Sequence, residues 1–509
     1  MIRNTFIFGI GGTGARVVRS LTMLLAAGTK LNNTDKVIPV IIDVDAKNAD
    51  TTRTLKALEA YKAIRKKAYI AQKNTNGADI ATGFFNTNLN TLSSLQIEGA
   101  EKIDDSFQLK FDNLETSFIK YIDPKEELVN DVTMDFLRAL YDDTPSSHAG
   151  FENTELNLRL DEGFKGNPNI GCVVFNSLSN LKEYQFVAKS INSDDRIFIV
   201  SSIFGGTGSS GFPQLIKLIK GDDRLRNIKL GALTVMPYYK IADKTKAGGD
   251  GNIKSGSFDA KTEAALTYYS KHLAGKLNAL YHVWDNPIKQ YDYNAGGDAQ
   301  LDPAHLVEMI GATAVIDFIN KPDEMLNQNS TTKYFDYGII QESASIDFRH
   351  FYEWSSKQIM EPLALFSYAM KIYLDYFPKF KDMAFYKDLL ADKIHSDIFY
   401  QTLSTFLGTH FKGWLKELAD NERKFEPFQL NEELNSFITG KIIPIKKVLG
   451  ITTNAGLSEL FIKEKLGKIE DELKKSIPDP EKEKRLLQLL NQTAQECYKV
   501  LDSLPTMTE

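Results

Sequence analysis

Cysteine is scarce in this sequence. The chain of 509 residues contains only two cysteines, Cys172 and Cys497, which lie far apart. A disulfide scaffold is therefore not expected, and a reducing compartment, the cytoplasm, fits better. No apolar run reaches the ~18 residues that a membrane-spanning helix needs. The seven histidines form no HxxxH pair and no CxxC pair occurs, so the spacing typical of metal ligands is absent.

A strong charge of either sign is also missing. The 61 lysines and arginines against 67 aspartates and glutamates give a net charge of −6. This charge provides no overall positive potential that would attract nucleic acid or an anionic membrane. Neither is therefore expected as a partner. The chain instead has ample apolar material, with 42% hydrophobic residues, and a length that favours more than one domain.

The first two thirds of the chain alternate short β-branched runs with helical stretches. This pattern predicts an α/β fold with a mostly parallel sheet covered by helices. A long apolar helix is expected at Ala304–Ile319, opened by Asp302 as N-cap and Pro303 in the first turn. The predicted strands of the sheet are Thr5–Phe8, Val37–Ile42, Arg196–Ser201 and Leu230–Met236.

From about Ser345 the sequence shows helical periodicity almost without strands. Cys497 belongs to an apolar stripe on the last predicted helix, so it is expected to be a core residue. We therefore expect two domains. The first, residues 1–344, is the α/β domain with its long helix, and the second, residues 345–509, is mainly α-helical.

The strongest chemical signal is the segment GIGGTG, Gly9–Gly14, between a predicted strand and a predicted helix. The backbone N–H groups of such a loop can point at an anion on the helix N-terminus, and glycine leaves room for phosphate oxygens. Gly9, Gly11 and Gly14 also satisfy the G-x-G-x-x-G fingerprint of dinucleotide-binding folds. The acid of that fingerprint comes late, because Asp43 lies 29 residues after Gly14. A tight helix-entry turn without a ligand is the alternative.

A second glycine loop, Gly205–Ser210, again lies between a strand and a helix. Two anion loops in one sheet suggest a single polyphosphate, whereas a dinucleotide fold does not need the second loop. No GxxxxGK[ST] segment occurs in the chain, so the lysine chemistry of P-loop enzymes is absent. Thr207 and Ser209 would offer hydroxyl groups beside the backbone donors.

These segments resemble the tubulin and FtsZ superfamily. SIFGGTGSSGFP resembles the glycine-rich signature GGGTGTGAAP, and GIGGTGARVVRSL resembles the first phosphate loop of the family. IIDVDAKNAD resembles the strand-end segment with an acid near the phosphates and magnesium, and LTVMPYY resembles the TxPF strand. Together they are most similar to the divergent prokaryotic tubulin-like group, over roughly residues 1–340.

The resemblance implies GTP or GDP with Mg²⁺ as ligands. It implies that Asp45 lies near the water shell of the magnesium ion. It also implies that Asp259 or Glu263 faces the ribose and that Asp285 or Asn286 faces the guanine edge, although each of these could equally be a solvated loop residue. The loop residues implied to hold the phosphates are Gly9, Gly11, Gly12, Thr13, Gly14 and Ala15 in the first loop and Gly205, Gly206, Thr207, Gly208 and Ser209 in the second.

The sequence departs from the family in two places. The family carries an NxDxxD-type loop after its long central helix, whose acids activate water on the nucleotide of a neighbouring subunit. The corresponding segment here is NKPDEMLNQN, in which only Asp323 and Glu324 are acidic. These two are the candidate catalytic residues, and their different spacing predicts weak or conditional hydrolysis. The other departure is the helical segment after Ser345, where FtsZ has a mixed α/β domain.

The leading hypothesis is a tubulin-like GTP-binding protein that acts as a nucleotide-gated assembly or switch module. Self-association is expected, and the helical domain would contact a further protein partner. One alternative is a Rossmann-type NAD(P)- or FAD-dependent oxidoreductase, based on the first loop alone. Another is a scaffold whose loops bind no nucleotide. The second glycine loop and the lack of a recognisable hydride-transfer acid–base pair favour the first hypothesis over the oxidoreductase.

Overall fold

The computed structural model describes most of the chain. The described residues are 3–45, 47–69, 72–73, 79–80, 83–95, 97, 101–127, 132–141, 154–241, 256–286, 289–291, 300–326, 331–339, 345–350, 355–390, 396–439, 446–448, 451–453, 456–477 and 479–502.

Seven strands form one sheet, and each neighbouring pair in it is parallel. Most of these strands are continuous β-branched and aromatic runs, which suit burial on both faces of a parallel sheet. The strands are β1 (Asn4–Ile10), β2 (Lys36–Ile42), β3 (Gln108–Leu109), β4 (Arg196–Ser202), β5 (Lys229–Val235), β6 (Ala279–Asp285) and β7 (Lys333–Ile339).

The order of strands across the sheet is β3-β2-β1-β4-β5-β6-β7. Strand β1 therefore lies between β2 and β4, with Phe8 opposite Val40 on one side and Ile199 on the other. The chain builds the sheet outward in one direction from β1 and then in the other direction from β4. The boundary between β1 and β4 is a topological switch point, where parallel α/β sheets leave a crevice at the carboxyl ends of the strands.

Four pairs of short strands lie outside this sheet within the described residues. They are Gln72–Lys73 with Asp79–Ile80, Tyr239–Ile241 with Lys289–Tyr291, Ser345–Ile346 with Lys424–Phe425, and Lys446–Val448 with Ile451–Thr453.

Helices cover both faces of the sheet, as the alternating sequence pattern predicts. In the first two thirds of the chain these are α1 (Gly11–Ala26), α2 (Ala49–Ala68), α3 (Phe118–Ile122), α4 (Val132–Leu140), α5 (Pro168–Phe175), α6 (Lys182–Ser190), α7 (Gly206–Gly221), α8 (Gly256–His272), α9 (Leu306–Asn320) and α10 (Asp323–Leu326). In the last third they are α11 (Glu361–Lys371), α12 (Ala384–Leu389), α13 (Ile398–Thr405), α14 (Lys412–Asp420), α15 (Glu459–Ser476) and α16 (Lys482–Asp502).

The long apolar helix α9 is present, but its N-cap differs from the prediction. His305, not Asp302, caps it: the Val307 N–H donates to His305 Nδ1 at 3.1 Å, and the His305 N–H donates to Glu308 at 3.1 Å. Asp302 points instead at the Arg16 guanidinium, 3.0 Å away. A partner 286 residues earlier in the chain thus outcompetes the local capping role.

The sheet separates two hydrophobic cores. One core lies under helices α5 to α8. The other continues from α1, α2 and α9 into the helices of the last third of the chain and includes Cys497, which is fully buried as predicted. Trp414 of α14 is also fully buried there, and its Nε1–H donates to Ser20 Oγ of α1 at 3.2 Å.

The structure confirms the α/β class and the parallel sheet. The helices after residue 345 pack directly against α1 and α2, and the division of the chain into two domains at that residue stays a prediction. Within the described residues, no helix combines the length and the apolar character that crossing a bilayer requires.

Candidate functional site

The two glycine loops lie side by side at the switch point of the sheet. Gly11 follows β1 with a φ of +69°, a left-handed conformation that glycine adopts without strain. A Cβ atom placed on Gly11 would lie 3.4 Å from Thr207 Cβ and 3.6 Å from the Gly208 nitrogen. The loops are nearly 200 residues apart in sequence, and the parallel pairing of β1 with β4 brings them together.

Two helices begin at these loops with their N-terminal donors uncapped. Helix α1 follows Ile10 and helix α7 follows Gly205, and neither N-cap side chain accepts a hydrogen bond from its helix. Neither first turn contains an acidic residue. The N-termini of the two helices, with the positive ends of their dipoles, therefore lie side by side, which is an arrangement suited to a polyanion.

Close backbone packing explains a further glycine of the first loop. A Cβ atom on Gly14 would lie only 2.7 Å from the carbonyl carbon of Gly9 and 2.9 Å from the carbonyl oxygen of Val200 in β4. A side chain at this position would push α1 away from β1 and β4. The G-x-G-x-x-G spacing is therefore required by the packing of α1 on the sheet, independently of any ligand.

The surroundings of the first loop are charged and buried. Arg16 of α1 is almost fully buried and makes four strong contacts. It donates to Glu308 at 2.6 Å, to Asp50 at 2.7 Å, to Asp302 at 3.0 Å and to the Tyr238 hydroxyl at 2.7 Å. One guanidinium thus holds three carboxylates from two distant parts of the chain.

This cluster extends to the helices of the last third of the chain. Arg53 pairs with Asp50 at 2.8 Å and with Glu417 of α14 at 3.1 Å, and Arg19 pairs with Glu417 at 2.8 Å. Burial raises the pKa of Asp50 to about 6, although Arg16 and Arg53 oppose the shift. The first loop is therefore connected to α14 through a continuous set of ion pairs.

Polar side chains also flank the exposed side of the first loop. A Cβ atom on Gly12 would lie 3.5 Å from Asn48 Nδ2 and 3.6 Å from Gln300 Nε2. These two amides hydrogen-bond to each other at 3.0 Å, and Asn48 caps α2 through the Asp50 and Thr51 N–H groups. The space beside Gly12 is therefore lined by hydrogen-bonding groups and leaves room for one added carbon.

Two buried acids follow β2 at the same edge of the sheet. Asp43 accepts hydrogen bonds from Thr51 Oγ1 at 3.0 Å and from the Asp45 N–H at 3.3 Å, and Asp45 accepts one from the Lys47 N–H at 3.0 Å. Burial and the neighbouring charge of Asp45 raise the pKa of Asp43 to about 7. Neighbouring carboxylates of this kind attract a cation. Within the described residues, however, no group of three or more His, Cys, Asp or Glu side chains is placed to hold a metal by itself.

The second loop has a different environment, made of backbone and small or apolar side chains. A Cβ atom on Gly206 would lie 3.0 Å from the Gly166 nitrogen and from Phe164 Cβ. One on Gly208 would lie 2.7 Å from Ser201 Oγ and from the Ser202 carbonyl oxygen. Steric fit thus holds the second loop in place, whereas buried charges surround the first.

The residues implied for the ribose and the base do not gather into one constellation. Asp259 and Glu263 are exposed on α8, and Asn286 is exposed after β6. Asp285 is fully buried and accepts two hydrogen bonds from Arg423, each 2.8 Å long. Its carboxylate is therefore engaged in a structural ion pair with the last third of the chain. The roles of these four residues toward a nucleotide stay predictions.

The candidate catalytic acids lie at the opposite edge of the sheet, beyond the C-terminus of α9. Asp323 pairs with Arg3 at 2.7 Å, Arg196 at 2.5 Å and Lys229 at 3.4 Å, three residues at the amino-terminal ends of β1, β4 and β5. Burial raises the pKa of Asp323, but hydrogen bonds from Arg3 and Arg196 outweigh it and lower this pKa to about 2. Glu324 is exposed. Within one subunit, neither acid is near the glycine loops.

Sequence reasoning missed several residues around the first loop: Arg16, Asn48, Asp50, Gln300 and Glu308. Arg16 did carry a signal, because it is a charged residue at the start of an otherwise apolar helix. Asn48 and Asp50 fall within the segment that resembles the family, beside the residues chosen from it. Gln300 and Glu308 have no local signal, since only the tertiary structure brings them to the loop.

The fold and the site define an α/β protein in which two glycine-rich loops, each at the N-terminus of a helix, lie side by side at one switch point. No protein-family model matches the sequence, and no curated protein matches it. Among solved structures, the chain is similar to CetZ from Methanosaeta thermophila strain DSM 6194, with 12% identity and a TM-score of 0.28. That alignment covers 62% of this chain and 52% of the CetZ chain, so the match spans about half of CetZ.

Proposed function

We propose that the protein binds a guanine nucleotide, GTP or GDP, across the two glycine loops and acts as a nucleotide-gated assembly or switch protein of the tubulin type. The observation that carries this proposal is the contact of the two loops at the switch point, with Gly11 against Thr207 and Gly208. Two uncapped helix N-termini supply N–H donors to one polyphosphate from two sides. The choice of guanine rests on the sequence resemblance.

Magnesium fits the same site as a companion of the phosphates. Asp43 and Asp45 provide two buried carboxyl groups at the end of β2, and burial, together with the charge of Asp45, raises the pKa of Asp43 to about 7. A metal held partly by phosphate oxygens and water would need only one such acid. We assign the role of this acid to Asp45. Asp45→Asn should therefore weaken the magnesium dependence of nucleotide binding more than it weakens nucleotide affinity. Equal magnesium titrations of the variant and the natural protein would exclude the assignment.

A dinucleotide-dependent oxidoreductase is the second candidate. The strand order of the sheet is the order of dinucleotide-binding folds, and Asp43 follows β2, where such folds place the acid that binds a ribose. The second glycine loop favours a nucleotide triphosphate over this alternative. Purified protein should therefore release GDP or GTP on denaturation, as identified by chromatography. Release of NAD(P) or FAD would support the oxidoreductase instead.

Binding across the first loop is tested best at Gly12. The apo fold accepts a Cβ atom there without a contact under 3.5 Å, whereas a side chain on Gly206 would also displace Gly166 and Phe164. Gly12→Val should weaken GTP binding in calorimetry at least ~10-fold, because the side chain occupies the phosphate approach. Gly413→Val, on α14 with open space around the glycine, is the matched control and should bind normally. Unchanged affinity in Gly12→Val would place the site elsewhere.

Hydrolysis is proposed to be slow in the isolated subunit. Asp323 and Glu324 are at the far edge of the sheet from both loops, so either acid could reach a nucleotide only on a neighbouring subunit. The rate of phosphate release per subunit should therefore rise with protein concentration. It should be lower in Glu324→Gln, because Glu324 is the exposed one of the two acids. A specific activity that does not change with concentration would rule out this arrangement, and full activity in both Glu324→Gln and Asp323→Asn would exclude these two acids.

A further inference from the structure

A cavity of about 290 Å³ lies between α5, α7 and α8, on the face of the sheet away from the last third of the chain. Its wall is almost entirely apolar. The lining of the cavity includes Cys172 on α5, Ser209 and Pro213 on α7, and Lys261, Ala265 and Tyr269 on α8. A space of this size accepts a molecule of roughly a dozen non-hydrogen atoms.

One charged group in the wall is suited to hold such a molecule. Lys261 Nζ on α8 donates to the Gly166 carbonyl at 2.7 Å, and an ammonium group has further N–H donors for a ligand. The Tyr269 hydroxyl has no hydrogen-bond partner among the described residues, but its oxygen has almost no accessible surface and so does not face the cavity.

The end of the cavity near Lys261 favours negative charge. Gly166 precedes α5, so the ammonium group is close to the N-terminus of that helix, where Asn167 makes no side-chain cap. Burial lowers the pKa of Lys261, and the charge of Glu155 opposes the shift. A carboxylate placed here would meet both the ammonium group and the positive end of the helix dipole.

We propose that this cavity binds a small amphipathic carboxylate, with its charged end at Lys261 and its apolar body between α7 and α8. The same elements also contact the second glycine loop. Ser209 belongs to both the loop and the cavity wall, and Lys261 anchors the turn that packs on Gly206. A ligand that binds Lys261 would therefore affect the second glycine loop. This effect on the loop rests on the proposed nucleotide site, whereas binding of the carboxylate in the cavity does not.

The two cysteines provide a direct readout of cavity occupancy. Cys172 lines the cavity and is partly exposed, while Cys497 is fully buried. Alkylation of the full-length protein with N-ethylmaleimide, followed by mass spectrometry of each cysteine peptide, reports occupancy at Cys172 and unfolding at Cys497. The probes are hexanoate, 4-phenylbutanoate and 1-naphthoate, which share a carboxylate and differ in the size of the apolar body.

At least one of the three probes should slow the alkylation of Cys172 about 5-fold or more without changing that of Cys497. Lys261→Gln should weaken this protection at least ~10-fold, because the charged hydrogen bond is lost, and Ala265→Phe should abolish it by filling the cavity. Lys271→Gln and Ala260→Phe change exposed residues of the same helix and should leave protection intact.

Three results would overturn the proposal. The first is that none of the probes protects Cys172 at millimolar concentration. The second is that Lys261→Gln and Ala265→Phe are protected like the natural protein. The third is that GTP or GDP and the probe exclude each other completely, so that saturating nucleotide abolishes Cys172 protection at every probe concentration, which would make the cavity part of the nucleotide site. Loss of nucleotide binding in Gly12→Val with probe protection intact would instead show that the cavity is independent of that site.

Discussion

The two glycine loops have similar sequences but are held in place by different interactions. The first loop is surrounded by buried charges centred on Arg16, and these continue through Arg53 and Arg19 to Glu417 of α14. The second loop is packed against the backbone and small side chains of neighbouring segments, with contacts such as those of Gly208 to Ser201. The loops share a glycine-rich composition because both helices start close to the sheet, and they differ in the buried charges that lie beside the first loop.

This difference suggests a division of roles between the loops. Ion pairs connect the surroundings of the first loop to Glu417, so a movement of α14 would change the contacts made by Arg19 and Arg53. Close steric packing leaves the second loop only one arrangement on its own side of the sheet. A nucleotide that bridges both loops would therefore connect a rigid part of the α/β region to the helices of the last third of the chain.

The largest expected effect comes from removing the centre of the charged cluster. Arg16→Ala should lower the free energy of unfolding by about 3–5 kcal/mol, because it leaves the carboxylates of Asp50, Asp302 and Glu308 buried without their common partner. Denaturant titration measures the change. Arg138→Ala, which alters an exposed arginine paired with Asp135 at 3.6 Å, is the control and should cost less than about 0.5 kcal/mol. A loss below about 1 kcal/mol in Arg16→Ala would contradict the importance of the cluster.

Steric crowding at the second loop should give an intermediate effect. In Gly208→Ala the new Cβ atom would lie 2.7 Å from Ser201 Oγ and from the Ser202 carbonyl oxygen, so the loop or α7 must shift. We expect a loss of about 1–3 kcal/mol in the free energy of unfolding. Gly12→Ala in the first loop, where no contact is shorter than 3.5 Å, should change stability by less than about 0.5 kcal/mol. Equal losses in the two variants would remove the contrast between the loops.

A smaller effect is expected at the far edge of the sheet. Asp323→Asn should cost about 1 kcal/mol near neutral pH, because it weakens the ion pairs with Arg3, Arg196 and Lys229. The lowered pKa of Asp323, about 2, means that its carboxylate stabilises the fold above the ordinary pKa of aspartate. The difference between Asp323→Asn and the natural protein should therefore shrink as the pH falls toward 2. A difference that grows in acid would contradict these ion pairs.

A separate effect concerns how stability changes with pH. The pKa of Asp50 is raised to about 6 by burial, so its contribution to stability is fully present below about pH 4 and is lost as the pH rises through about 6. Asp50→Asn should therefore flatten the change in unfolding free energy between pH 4 and pH 7. Asp135→Asn, an exposed acid, should leave that slope unchanged. A slope in Asp50→Asn equal to that of the natural protein would show that Asp50 titrates normally.

The order of the elements could be predicted from the sequence because it depends on local patterns. The runs Thr5–Phe8 and Arg196–Ser201 are strands of one parallel sheet, and both glycine loops lie between a strand and a helix. The helical character after Ser345 and the burial of Cys497 were also predictable from periodicity. Such features follow from the alternation and spacing of neighbouring residues, which a linear sequence displays directly.

The partners of the charged residues could not be predicted in the same way. Asp302 was expected to cap α9 and instead contacts Arg16, while Asp285 pairs with a residue 138 positions later, Arg423. Asp323 pairs with the starts of three strands that converge only in the folded sheet. The sequence by itself determined which segments form strands, helices and glycine loops, because these depend on neighbours in the chain. Only the tertiary structure decided which buried charges meet, because strand order alone brings residues more than a hundred positions apart within hydrogen-bonding distance.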